Sequence, residues 1–242
     1  LSLSRHLADG APWDYLGRTR ALRILSPYQG ASDADWYKGT ADAVYQNLHF
    51  LDGYRPDVVL VVSADHIYSM DYRPLIREHL ARGADLTMSL TRVPRDQAHR
   101  YGTAVLDADH RVVSYEEKSA SPAGDLASMT VYAFRHAALV ARVRQNAAEG
   151  GGRQLYADVI PRMLAEGDRV YGHVFEGTWR YARTLDEYYA TSMEILSASS
   201  PDLAAWGVRT NLYAGMLADP PPAFFADGAR AGRSLVGAGG RI

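Results

Sequence analysis

Asp57-Val58-Val59-Leu60-Val61-Val62-Ser63-Ala64-Asp65 is a continuous apolar run between Pro56 and an acidic residue. Such a run has no alternation of polar and apolar residues, which fits a parallel strand buried on both faces. Upstream, Ala41, Val44, Tyr45, Leu48 and Leu51 recur at helical spacing. Downstream, Tyr72 to Arg82 reads as a helix stopped by Gly83, and Asp85 to Val93 as the next strand. Helix, strand, helix and strand in alternation predict a parallel sheet covered by helices.

Further along the pattern changes. Thr103 to Leu106 and Arg111 to Tyr115 flank the polar segment Asp107-Ala108-Asp109-His110, which predicts a turn between antiparallel strands. Leu126 to Phe134 reads as a strand, Leu139, Val140 and Val143 as a helix, and Val159, Ile160, Met163 and Leu164 as another. Arg169 to Glu176 is a further strand. Thr184 and Glu187 form a T-x-x-E capping box at the head of a last helix. Pro220-Pro221-Pro222 signals a linker, and Ser234 to Gly239 fits a first rung of a β-helix.

The 242 residues are 47% hydrophobic, enough for a sizeable core. A formal charge of −2 argues against a broad nucleic-acid footprint. There is no cysteine, which excludes disulfides and thiolate metal sites, and the eight histidines show no zinc-ligand spacing. No apolar run approaches the roughly 20 residues that span a bilayer. A soluble, cytoplasmic protein without a membrane or nucleic-acid partner is expected.

Asp65 falls where the central strand should end, and open α/β sheets bind ligands beyond the carboxyl ends of their strands. A lone Asp there also serves as a turn former. In Trp36-Tyr37-Lys38-Gly39-Thr40-Ala41, Gly39 lets backbone approach a ligand, and Thr40 can cap the following helix beside free N–H groups. In Tyr115-Glu116-Glu117-Lys118, a lysine just past a strand can hold an anionic phosphate, although such charge runs are commonly solvated. The D-x-D pairs Asp33/Asp35 and Asp107/Asp109 each sit in a polar turn and read as turn formers.

Taken in order, W-Y-K-G-T-A-D-A-V-Y-Q-N, S-A-D-H-I-Y-S-M-D-Y, Y-G-T-A-V, E-E-K, S-M-T-V-Y-A-F, D-V-I-P and W-R resemble the bacterial ADP-glucose pyrophosphorylases. The resemblance implies a Rossmann-like, GT-A-like α/β nucleotidyltransferase core with a mixed sheet and flanking helices over 1–200. A linker over 201–222 and the start of a left-handed β-helix over 223–242 would follow. It implies ATP and glucose 1-phosphate as substrates, Mg2+ as cofactor, and a homotetramer or a hetero-oligomer with a homologue. By matching residue, Gly39 and Thr40 would border the base and Asp65 would hold Mg2+ and orient the phosphates. Gly102 would line the sugar side, Glu117 would bond sugar hydroxyls, Lys118 would grip the sugar phosphate, and Ser128 would sit in the sugar pocket. The alternative is a non-catalytic partner subunit or a sugar-phosphate binding remnant.

Three departures accompany the resemblance. The family's first strand and Gly-rich phosphate loop would lie before Leu1, so the core is expected to lack them. The family's W-R-D-V-G-T is Trp179-Arg180-Tyr181-Ala182-Arg183-Thr184, which puts a neutral phenol in place of the second metal carboxylate. The family's D-F-G-K-D is Gln154-Leu155-Tyr156-Ala157-Asp158, and its Ser-Met-Gly is Ser128-Met129-Thr130.

Overall fold

The computed structural model describes residues 4, 7, 10, 14–15, 20–27, 36–195, 223–232, 236 and 242. The chain divides into two compact units, one of residues 27–181 and one of 1–26 with 182–242. The first holds helices α1 (Thr40–Gln46) and α2 (Leu48–Tyr54), strands β1 (Val58–Val62) and β2 (His66–Tyr68), and helix α3 (Tyr72–Ala81). Then come β3 (Leu86–Arg92), β4 (Gly102–Leu106), β5 (Val112–Glu117), β6 (Leu126–Arg135), α4 (His136–Ala148), α5 (Ile160–Ala165), β7 (Val170–Val174) and β8 (Trp179–Tyr181).

The sheet runs β5-β4-β6-β3-β7, with β1 also paired to β6. It is mixed, as the resemblance implies, and the parallel sheet read from the first helix–strand alternation is not formed by β1 and β3 directly. β1 and β3 share a direction, but β6 lies antiparallel between them, and β3 with β7 is the parallel pair. The central strands are buried on both faces. Along β6, Tyr132 and Phe134 enter a core with Leu86, Leu139 and Ile160, while Val131 and Ala133 enter a second core with Leu75 of α3 and Trp179. Period-2 alternation sends neighbours to opposite faces, so a strand covered on both sides reads as an unbroken apolar run.

β1 departs from its expectation. Among the described residues it has one strand neighbour, its side chains are half-buried, and Val62 is 48% exposed. The apolar run correctly marks a strand with a core on each face, Val59 and Val61 packing on the first and Val58 and Leu60 on the second, but its side chains stay only half-buried. The helix expected across Ala41 to Leu51 is instead two short helices, because Asn47 leaves helical geometry and its side chain bonds the carbonyl of Ala43 at 2.8 Å. The Asp107–His110 turn forms as expected. Asp107 Oδ1 accepts from the amides of Asp109 (2.9 Å) and Arg111 (2.8 Å), and His110 takes φ 63°. Asp33 and Asp35 lie outside the described residues.

One buried ionic knot ties three strands at the far end of the sheet. Asp85, 6% exposed, pairs with the Arg135 guanidinium and accepts from the Arg169 amide at 3.0 Å. Burial pushes the Asp85 carboxyl up, but the Arg169 amide and the two guanidiniums outweigh it, and the net value lies below the usual carboxylate range. A depressed folded-state value gives stability that is present above the unfolded carboxylate pKa of about 3.9 and is lost as pH falls through the folded value. Asp85→Ala is therefore expected to cost about 2–4 kcal/mol at pH 7 by urea denaturation. The gap from the parent chain should shrink at pH 3, and a gap equal at both pH values would refute the ionic account.

In the second unit, helix α6 (Leu185–Ile195) carries its capping box as expected. The Glu187 amide donates to Thr184 Oγ1 at 3.1 Å, and the Thr184 amide to Glu187 Oε2 at 3.3 Å. The linker 201–222 and, apart from Val236, the expected first rung over 234–239 lie outside the described residues. Within 223–242, the amide of Ile242 bonds the carbonyl of Phe224 at 2.9 Å. Among the described residues no helix is long and apolar enough to cross a membrane.

Candidate active site

β1 and β4 pair along the same edge of β6, end to end. β1 takes Val131–Arg135 and β4 takes Leu126–Ala127, because β3 occupies the other edge. Between them Ser128, Met129 and Thr130 form a notch in that edge. A bulge shapes it. Met129, Thr130 and Val131 of β6 stand against Ser89 alone on β3, and Thr130 adopts φ 53°. That left-handed conformation is costly for a β-branched residue. It is held by the Thr130 amide donating to Ser128 Oγ (3.3 Å) and the Ser63 amide donating to the Thr130 carbonyl (3.2 Å).

Asp65 follows β1, two residues beyond the Ser63 that bonds Thr130. The Ser63 hydroxyl donates to its Oδ1, and His66 Nε2 lies 3.3 Å from the same oxygen. The carboxylate side chain is 36% exposed, while the His66 side chain is fully buried. His66 pairs in register with Tyr181 across the two-stranded β2–β8 ribbon. Its ring lies 4.6 Å from that of Tyr181 and 5.1 Å from Trp179, and Tyr101 closes the cluster at 5.7 Å and 5.5 Å from the same two rings. Asp65 and Tyr181 thus flank one histidine. Among the described residues, no three His, Asp or Glu side chains gather into a metal cage.

From the other side come β4 and β5, where Gly102 stands opposite Glu117. Tyr115 hydroxyl donates to Glu117 Oε2 at 2.9 Å, and a Cβ on Gly102 would fall 2.2 Å from that hydroxyl and 2.4 Å from that carboxylate oxygen. The glycine is what leaves room for the pair. Lys118, at φ 48°, bonds its amide to the Tyr101 carbonyl, and its Nζ lies 3.9 Å from Glu117 Oε1 with the side chain 54% exposed. Ser128 is buried, and its Oγ bonds the Tyr132 hydroxyl at 3.2 Å. Burial, opposed by the bond to Ser128 and reinforced by the Glu117 charge, pushes Tyr132 up to about 12. Burial with Tyr132 and Glu117 nearby pushes Tyr115 far above its ordinary value.

Gly39 and Thr40 are arranged differently from their expectation. Gly39, not Thr40, is the N-cap residue of α1, and no side chain caps the helix. The amides of Thr40 and Ala41 are not free for a ligand. They donate to Gln154 Oε1 (3.2 Å) and to the Arg153 carbonyl (2.9 Å), while Thr40 Oγ1 accepts from the Leu155 amide at 2.8 Å.

The structure sets Ser128 at the break in the sheet, Asp65 two residues beyond the Ser63 that bonds Thr130 on its β1 side, and Gly102, Glu117 and Lys118 on its β4–β5 side, while Gly39 and Thr40 lie against the segment Arg153–Leu155. Sequence reading gave no role to Tyr115 or Tyr132 and marked Thr130 only as a departure from the family's Ser-Met-Gly. Tyr115 was findable, because positions two apart on a strand share a face. Tyr132 reaches Ser128 only across the bulge, and nothing in Ser-Met-Thr announces one.

The profile of the nucleotidyl transferase family matches residues 1–198. The chain is similar to the glucose-1-phosphate adenylyltransferase of Thermotoga maritima, 37% identical over 253 residues covering 99% of this chain and 57% of the relative. It is 36% identical to that of Thermosipho melanesiensis (99% and 58%) and 37% to that of Halalkalibacterium halodurans (83% and 52%). The chain spans a little over half the length of the curated relatives it matches.

Proposed function

This chain belongs to the nucleotidyl transferase family, and from that premise we propose that its notch serves the joining of a nucleoside triphosphate to a sugar 1-phosphate. ATP and glucose 1-phosphate would give ADP-glucose and pyrophosphate, a reaction feeding glycogen or related α-glucan synthesis. The enzyme name carried by its relatives supports these substrates. What supports the proposal is that three segments, carrying Asp65, Glu117 with Lys118, and Ser128, border the break between β1 and β4 through the bond of Ser63 to Thr130 and the pairing of β4 with β5 and β6.

The reaction needs alignment and charge neutralisation more than covalent help. The sugar phosphate oxygen attacks the α-phosphorus in line and pyrophosphate departs. Lys118 holds the sugar phosphate, Glu117 accepts from sugar hydroxyls, Ser128 donates to or accepts from them, and Gly102 keeps that wall free of bulk. Gly39 and Thr40 border the base with their outer surface, since the amides of Thr40 and Ala41 are engaged within the chain. Mg2+ is commonly held by one or two carboxylates with substrate phosphates and water completing its shell. Asp65 supplies one partly exposed anionic oxygen donor and Tyr181 supplies none, so Asp65 fits as a single-carboxylate anchor. When bound there, the ion would offset phosphate charge.

Assembly as a homotetramer, or as a hetero-oligomer with a homologue, and a cytoplasmic setting belong to the same proposal. The alternative of a non-catalytic partner subunit is less favoured, because the relatives the chain resembles carry the name of an enzyme. Calorimetric titration of glucose 1-phosphate into the chain tests the assignment. Lys118→Ala should weaken glucose 1-phosphate by about 10–100-fold, the effect of losing one charge-assisted bond, while ATP affinity holds. An unchanged glucose 1-phosphate affinity would remove Lys118 from the site.

A further inference from the structure

Tyr115 has no assigned role, yet its hydroxyl is aimed at a residue that does. It stands two positions before Glu117 on β5, on the same face of the strand. Its ring packs against the larger hydrophobic core, which fixes its direction, and its hydroxyl donates to Glu117 Oε2 at 2.9 Å. On the neighbouring strand, Gly102 supplies the space for that contact. The other carboxylate oxygen, Oε1, lies on the side of Lys118. One oxygen is thus taken by the protein and the other is left beside the lysine.

We propose that Tyr115 is a positioning residue, which clamps Glu117 through Oε2 so that Oε1 is presented, already oriented, to a hydroxyl of the sugar phosphate. The proposal rests on the sugar 1-phosphate function given above. A glutamate side chain has three rotatable bonds, and a ligand that must order it gives up part of its binding free energy. A donor rooted in the core removes that ordering cost before the ligand arrives. The clamp also persists across the working pH range, since burial and the Glu117 charge keep the Tyr115 hydroxyl protonated. A tyrosine present for packing alone would be replaceable by phenylalanine, which keeps the ring and loses only the hydroxyl.

The test is a double-substitution cycle on the whole chain, read by calorimetric titration with glucose 1-phosphate and, separately, with inorganic phosphate. Tyr115→Phe should weaken glucose 1-phosphate about tenfold, as expected for loss of one hydrogen bond to a charged group. It should leave inorganic phosphate unchanged and have no further effect in a Glu117→Ala background. An equal loss in both backgrounds, or equal losses for both ligands, would show a general structural role and overturn the proposal. An unchanged affinity in Tyr115→Phe would overturn it as well. A folded parent chain that fails to bind glucose 1-phosphate would overturn the sugar 1-phosphate function itself, an outcome separate from the other two.

Discussion

Gly39→Ala is expected to destabilise the 27–181 unit by about 2–4 kcal/mol, the range of overpacking and lost backbone bonding combined. A Cβ at Gly39 would fall 2.2 Å from the carbonyl oxygen of Arg153 and 2.8 Å from its carbonyl carbon. Those are backbone atoms, so no rotamer change relieves the clash. The same carbonyl accepts the Ala41 amide, and the adjoining Gln154 and Leu155 bond Thr40. Moving α1 outward by the required ångström or more would break several of these together. Glycine is needed here for the close approach, as its φ of 163° is extended backbone open to any residue. Urea denaturation should show a lower midpoint with an unchanged slope. Gly53→Ala is the matched control, since nothing lies within 4 Å of its added Cβ and it sits inside α2. A loss at Gly39 no larger than that at Gly53 would refute the packing account.

That expectation also marks what the sequence made legible. The G-T-A-D-A-V segment pointed to a place where backbone approaches something closely, but the partner is the chain's own Arg153–Leu155 segment, more than a hundred residues away in sequence. Local pattern reports that a glycine is needed, not what it approaches. The same distinction runs through the fold. β6 was readable from its apolar Val131–Phe134 stretch and β3 from its alternation of Leu86, Met88 and Leu90 with Thr87, Ser89 and Thr91, although the polar face of β3 is buried too. β1 has the same kind of apolar stretch as β6 with half-buried side chains, since residue chemistry does not count a strand's neighbours. The three-residue strands β2 and β8 are too short for any periodicity, and their pairing depends on residues over a hundred positions apart. Asp65, Glu117 and Lys118 were found as strand-end residues. The notch that unites them comes from two strands sharing one edge of β6, which is a property of topology.

The second large effect is expected at the ribbon. Tyr181→Asp should tighten a divalent cation by about tenfold or more, in line with the 10–100-fold that even outlying partners of a metal contribute. In the parent chain the Asp65 carboxylate and the Tyr181 ring both approach His66, and a phenol offers no anionic oxygen at neutral pH. An aspartate on β8 would add a second anionic oxygen donor on the strand that pairs with the residue following Asp65. The change carries a cost. Tyr181 packs against His66, Tyr101 and Trp179, and removing its ring should lower stability by about 1–3 kcal/mol. Binding and stability should therefore move in opposite directions, which separates a metal effect from general tightening of the fold. Mn2+ serves as the probe, its free fraction read by electron paramagnetic resonance with ATP present. Asp65→Asn in the Tyr181→Asp background should remove the gain, because one carboxylate alone would again remain. A Mn2+ affinity unchanged by Tyr181→Asp, in a chain that still folds, would mean that β8 does not share a cation site with Asp65. The metal role proposed for Asp65 would then lose its structural support, while the sugar-phosphate side, built on β4, β5 and β6, would stand on its own test.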